Sequence, residues 1–127
     1  MSITTSVDND KQLTTHTVIG EVSFEEGMTT LKQFWEDRPT MNVLWDYRKG
    51  SLARVSSVDF ERIVDYVTVH SEKRAGGKTA LVGTKDLEFA MSRTFKTFSE
   101  IGNLPFQVEA FRSIEEANQW FDGEEEK

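Results

Sequence analysis

With 127 residues, 37% of them hydrophobic and 11% aromatic, the chain is long enough for one domain with a substantial apolar interior. A formal charge of −7, with Lys and Arg interspersed among the acids, denies the basic face that phosphate backbones require, so nucleic acid is not an expected partner. The lack of cysteine removes disulfides, thiolate nucleophiles and cysteine-ligated zinc together, and no leader-like or bilayer-length apolar run is present, which makes a soluble cytoplasmic protein the expectation.

In chain order, Ser2–Val7 and Gln12–Ile19 are rich in Thr, Val and Ile, and Asp8-Asn9-Asp10 between them supplies turn formers, which predicts a β-hairpin. Ser23 and Glu26 have capping-box spacing at the start of a helix that runs to about Asp37, with Phe24, Met28, Leu31 and Trp35 as its apolar stripe. Pro39 cannot continue that helix, and the apolar run Met41–Tyr47 reads as a strand buried on both faces. It is the central strand of the expected sheet, and it delivers Asp46, Tyr47 and Arg48 to the carboxyl edge, where open α/β folds keep their working residues.

A long loop, Arg48–Ser57, then leads to a helix over about Val58–Lys73 whose Phe60, Ile63, Val64 and Val67 face inward, ended by Ala75-Gly76-Gly77. Lys78–Gly83 is a second buried strand. The helix beginning near Lys85 places Leu87, Met91, Thr94, Phe98 and Ile101 on one side. Phe106, Val108 and Ala110 alternate in an outer strand, and Ser113 with Glu116 repeats the capping box before a last helix anchored by Ile114, Ala117, Trp120 and Phe121. Residues 1–122 are thus expected to form one domain and 123–127 an acidic disordered tail. Strands alternating with helices predict an α/β fold: a mixed, mostly parallel sheet of about five strands, the first antiparallel, with four helices.

The runs Val43–Arg48, Lys78–Arg93 and Val108–Trp120 resemble the SpoIIAA-like proteins, a bacterial family related to the STAS (anti-sigma-factor antagonist) domain. The resemblance covers nearly the whole chain. It implies a βα superhelix without catalytic chemistry or cofactor. In STAS antagonists a phosphorylatable serine opens the helix after the central strand, in an Asp-Ser-Ser-Gly-like turn. Ser56 and Ser57 are the nearest positions here, although the loop is longer and Val58-Asp59 stands where a glycine would follow. For SpoIIAA-like proteins the resemblance also implies nonpolar ligands and peripheral membrane association.

Three groups of residues carry the candidate sites. Ser56 and Ser57 are helix caps or phosphoacceptors, a phosphate there being favoured by the helix dipole and opposed by Asp59 and Glu61. Asp46, Arg48, Thr84, Lys85 and Asp86 are expected to form a polar cluster where the two central strands end. Phe89 with Arg93 and Lys96, and Val58 and Val69 with Arg62 and Tyr66, are expected on the outward faces of two neighbouring helices as a docking surface. His16 and His70 share no evident pocket, and no metal-ligand spacing or nucleophile elbow is present, so no catalytic or metal site is expected. The expectation is a non-catalytic interaction module that binds a protein partner or a second copy of itself. The alternative is a carrier or sensor of a small nonpolar ligand held between helices and sheet. A carrier should contain a void, whereas an interaction module should be tightly filled.

Overall fold

The computed structural model describes residues 3–123. Strand β1 (Ile3–Asp8) turns into β2 (Leu13–Glu21), with the Asp8 carboxylate accepting the backbone N–H groups of Asp10 and Lys11. Helix α1 (Phe24–Glu36) follows, its first turn closed by the reciprocal Ser23–Glu26 box. Then come β3 (Asn42–Ser51), α2 (Ser57–His70), a 3₁₀ turn (Ser71–Arg74), β4 (Lys78–Val82), α3 (Asp86–Ile101), β5 (Gln107–Phe111) and α4 (Ile114–Asp122). The fold is α/β: five strands in the order β1-β2-β3-β4-β5, parallel except for β1, with four helices. Only residue 123 of the expected acidic tail, and none before Ile3, lies within the described residues.

Each parallel strand joins the sheet on the same side of the one before it. Right-handed crossovers therefore carry α1, α2 and α3 to one face, with α2 lying between the other two. Under these three helices lies the larger apolar core, built on Val18, Val43, Trp45, Leu81 and Val108 from the sheet. Helix α4 alone covers the opposite face, where Ala117 and Trp120 meet Leu44, Ala80, Val82 and Phe111. Strand β3 is in the middle and buried on both sides, and β5 is an edge, as the alternation of its side chains predicts.

Two expectations are corrected. The first concerns the connection Arg48–Ser57, which is not a long loop, because β3 continues to Ser51 and leaves only Leu52–Ser56 outside regular structure. Thr17 pairs with Asp46 but Ile19 pairs with Lys49, so a β-bulge gives β3 one extra residue. That extra residue shifts the strand's phase and brings Gly50 over Val18, so close that a Cβ on Gly50 would stand 2.7 Å from Val18 Cγ1.

The second correction is the inward face of α3. Leu87 and Ile101 are exposed, and the residues turned in are Glu88, Ser92 and Ser99, flanked by the half-buried Met91, Phe95 and Phe98. Small serines let the helix lie close to the sheet, and each returns its hydroxyl to its own helix, Ser92 to the Glu88 carbonyl and Ser99 to that of Lys96. Glu88 reaches across to accept the Leu52 N–H at 3.0 Å, which anchors the β3–α2 connection to α3.

Candidate functional site

Between the sheet and helices α1, α2 and α3 the core does not close. A cavity of about 80 Å³ remains, lined by side chains of all three helices and of β2, β3 and β4, and the half-buried Ser23, Phe24 and Gly27 at the start of α1 border it. Its walls are almost wholly apolar: Leu31, Leu52, Val55, Phe60 and Phe95 surround the end near the carboxyl edge of the sheet. Gly27 stands at that end as the fourth residue of α1, and glycine within a helix costs roughly 1 kcal/mol relative to alanine. A side chain at Gly27 would meet nothing within 4 Å, so the missing Cβ is space that belongs to the opening.

The opposite end of the cavity holds four polar side chains, all buried: His16 from β2, Trp35 from α1, Arg74 from the 3₁₀ turn and Thr79 from β4. Strand alternation puts His16 on the helix-covered face with Val18 and Thr14, and pairs it with Trp45, on whose ring it lies at 4.3 Å. The ring of Phe34 is common to the group, with His16 at 5.8 Å, Trp35 at 5.2 Å and the Arg74 guanidinium at 5.9 Å. Arg74 donates from Nε to the Thr40 carbonyl and from Nη2 to those of Met41 and Lys78, which ties together the amino ends of β3 and β4, while Phe106 covers its face at 4.3 Å.

This polar end is incompletely satisfied. His16 Nε2, Trp35 Nε1 and Thr79 Oγ1 are buried without a hydrogen-bond partner among the described residues. Burial, with the positive charge of Arg74 nearby, brings the His16 imidazole down to about 4, so the ring is neutral near pH 7. Its Nδ1 is 2.9 Å from the Thr5 hydroxyl, and when Thr5 donates that bond the proton resides on Nε2. Burial likewise lowers Arg74, to about 9, which still leaves it charged at neutral pH. Among the described residues no carboxylate forms a salt bridge with it.

A second, wider depression of about 450 Å³ runs between β1 and α1, lined by Thr5, Glu25, Gln33 and Arg38 among others; His16 and Phe34 form the wall it shares with the apolar cavity.

The residues singled out in the sequence lie elsewhere. Ser56 is the N-cap of α2, its hydroxyl accepting the Asp59 N–H and its own N–H donating to the Asp59 carboxylate, whereas Ser57 is the first residue of the helix. The polar cluster is not one cluster but three separate contacts. Asp46 and Arg48 pair with each other at the bulge, Lys85 approaches Glu88 at 4.0 Å, and Asp86 and the Thr84 carbonyl both receive Arg112. Asp46 and Arg48 fall on the α4 side of the sheet, away from the turn that carries Lys85.

The outward face is also divided. Val58 and Val69 on α2 are 56% and 79% exposed, as expected. Arg62 lies over the ring of Phe24 and Tyr66 against that of His70. Phe89 on α3 is instead half-buried, with the Arg112 guanidinium over its ring at 4.4 Å and Arg93 at 6.0 Å, and Lys96 is held by Glu109. The two helices therefore do not share one apolar face.

Three of the four polar cavity residues escape a reading of the sequence. His16 gives a weak signal, two residues before Val18 in an alternating strand. Arg74, beside a glycine pair, reads as an ordinary solvated helix end, and Thr79 as one of many strand threonines. Among the described residues no group of His, Asp and Glu side chains could hold a metal ion, and no helix is long and apolar enough to cross a membrane. Comparison with known protein families, with characterised proteins and with solved structures finds no match.

Proposed function

We propose that this protein is a non-catalytic carrier or sensor of a small, largely apolar ligand, held between the sheet and helices α1, α2 and α3. The observation that carries this reading is the unfilled apolar cavity with buried, unpartnered hydrogen-bonding atoms at one end. Interiors are packed to crystal-like density, and buried donors are ordinarily satisfied, so a void that combines both departures is what a ligand site requires. Gly27 at the opening supports the same reading, since a larger residue there would improve the helix and fill the space. The order of elements and the mixed sheet fit the SpoIIAA-like resemblance, for which nonpolar ligands were the expectation.

Docking of a protein partner on α2 and α3 has less support. Val58 and Val69 are three helical turns apart, and the aromatic residue expected to join them lies under Arg112. The carrier reading is tested by native mass spectrometry of protein purified from its own host, beside the Gly27→Leu variant. A small-molecule mass on the wild type that is absent from the variant is expected. A wild type that is bare, and that binds no small apolar or amphipathic compound in a calorimetric screen, would overturn it.

A further inference from the structure

Resting on that reading, we infer that the ligand is a short-chain carboxylic acid whose carboxylate sits among His16, Trp35, Arg74 and Thr79 and whose hydrocarbon part points toward the opening at Gly27. Trp35 Nε1 can only donate, and Thr79 Oγ1 is able to donate. The two nitrogens of an imidazole project in nearly opposite directions. With Nδ1 toward Thr5 on β1, His16 Nε2 therefore points inward and, in the tautomer that Thr5 supports, donates as well. Arg74 uses Nε and Nη2 on three carbonyls, which leaves Nη1 outside those bonds. A wall made of donors and one cation calls for an acceptor that carries negative charge.

Charge balance points the same way. A buried guanidinium is ordinarily paired, because its desolvation is not repaid by neutral carbonyls alone. Here the ring of Phe106 and three carbonyls surround Arg74, and among the described residues no carboxylate pairs with it. A ligand carboxylate offers about four lone-pair sites, enough for the three unpartnered atoms and Arg74 Nη1, and supplies the missing charge.

Size sets the length of the hydrocarbon part. About 10–15 Å³ of such volume is needed for one water-sized atom group, so the cavity of about 80 Å³ holds on the order of five to eight non-hydrogen atoms. An acid of about four to six carbons fits within that range, and an alkyl chain of that length suits walls of Leu31, Leu52 and Phe60.

The test is calorimetric titration of the full chain with sodium pentanoate, 1-pentanol, pentylamine and sodium decanoate, with the indole N–H resonance of Trp35 followed by NMR. Pentanoate is expected to bind at least tenfold more tightly than the alcohol, the amine not at all, and the Trp35 resonance to move on binding. Thr79→Val, which keeps the shape of the side chain and loses the hydroxyl, should weaken pentanoate by about tenfold while leaving the alcohol unchanged. Gly27→Leu should weaken binding of both by at least tenfold. Equal affinity for alcohol and acid, lost in Gly27→Leu, would overturn the acid head while the carrier reading stands. Tighter binding of decanoate than of pentanoate would overturn the short chain. No binding by any of the four would overturn the acid proposal and leave the carrier reading to the mass spectrometry.

Discussion

The Asp46 carboxylate holds Arg48 twice over: Oδ1 accepts the Arg48 backbone N–H at 3.0 Å, and both carboxylate oxygens accept the Arg48 guanidinium at 3.0 and 2.9 Å. The backbone bond falls at the β-bulge, where the extra residue of β3 interrupts the ladder and leaves an N–H in need of an acceptor. The pair expected at a functional edge therefore has a structural task. It secures the change of phase that carries Gly50 over Val18 and leads the chain toward Leu52 at the cavity.

Burial pushes the Asp46 carboxyl upward, but the side-chain and backbone bonds from Arg48 outweigh it, and the net result lies below the ordinary 3.8. A depressed native value means that the stabilisation is fully present above the unfolded value and is lost as pH falls through the lower native one. Asp46→Asn should cost about 1–3 kcal/mol at pH 7. It should also flatten the acid limb of stability below pH 3.8, as followed by urea midpoints. An unchanged midpoint at pH 7 would show the bulge to be held by the ladder alone.

His16 predicts a second pH dependence in a different window. Its native value of about 4 lies below the ordinary 6.5, so the folded state keeps the ring neutral while the unfolded chain takes up a proton. Stability is therefore whole above pH 6.5, declines as pH falls toward 4 and declines no further on this account below that. The full loss is on the order of 3 kcal/mol. His16→Phe keeps the contacts with Phe34 and Trp45 and should remove most of the decline between those limits. An equal decline in the variant would place the titration elsewhere.

The fold was legible because its strands and caps follow rules that act locally. Continuous apolar runs mark β3 and β4, alternation marks the edge strand β5, and Ser23, Ser56 and Ser113 each accept an N–H three residues on. The phase of α3 was not legible, since the apolar-stripe rule favours Leu87 and Ile101, while the helix turns in Ser92 and Ser99, whose hydroxyls are satisfied within the helix. The cavity was legible only as an alternative. Its apolar walls are ordinary core residues in sequence, and its polar end assembles His16, Trp35, Arg74 and Thr79 from four separate elements. Nothing local distinguishes a buried arginine from a solvated one until the carbonyls of residues 40, 41 and 78 are brought around it.

That arrangement makes Arg74 a joint for the amino end of the sheet. Lysine cannot reproduce the planar fork that serves three carbonyls, and methionine removes all three of those bonds. Arg74→Lys should lose about 2–3 kcal/mol, and Arg74→Met more, as measured by chemical denaturation. Hydrogen exchange should rise first at the amino ends of β3 and β4. If Arg74→Met is as stable as the wild type, its bonds to the carbonyls are not holding the sheet.

Gly27 separates stability from ligand capture at a position where both can be read. It lies within α1, faces the opening of the cavity and has free space where a Cβ would be. Gly27→Ala should stabilise the protein by about 0.5–1 kcal/mol through helix propensity alone and should leave binding nearly intact, since one methyl narrows the opening without filling it. Gly27→Leu keeps a comparable gain in propensity and adds a branched side chain in the opening, so stability should rise while affinity for a small apolar acid falls by at least tenfold. The two variants together make a strict comparison, with thermal melts for the first quantity and calorimetric titration for the second. A leucine variant that binds as the wild type does would show that ligands reach the cavity from another side or not at all. An alanine variant that is destabilised would show instead that α1 needs its glycine to pack.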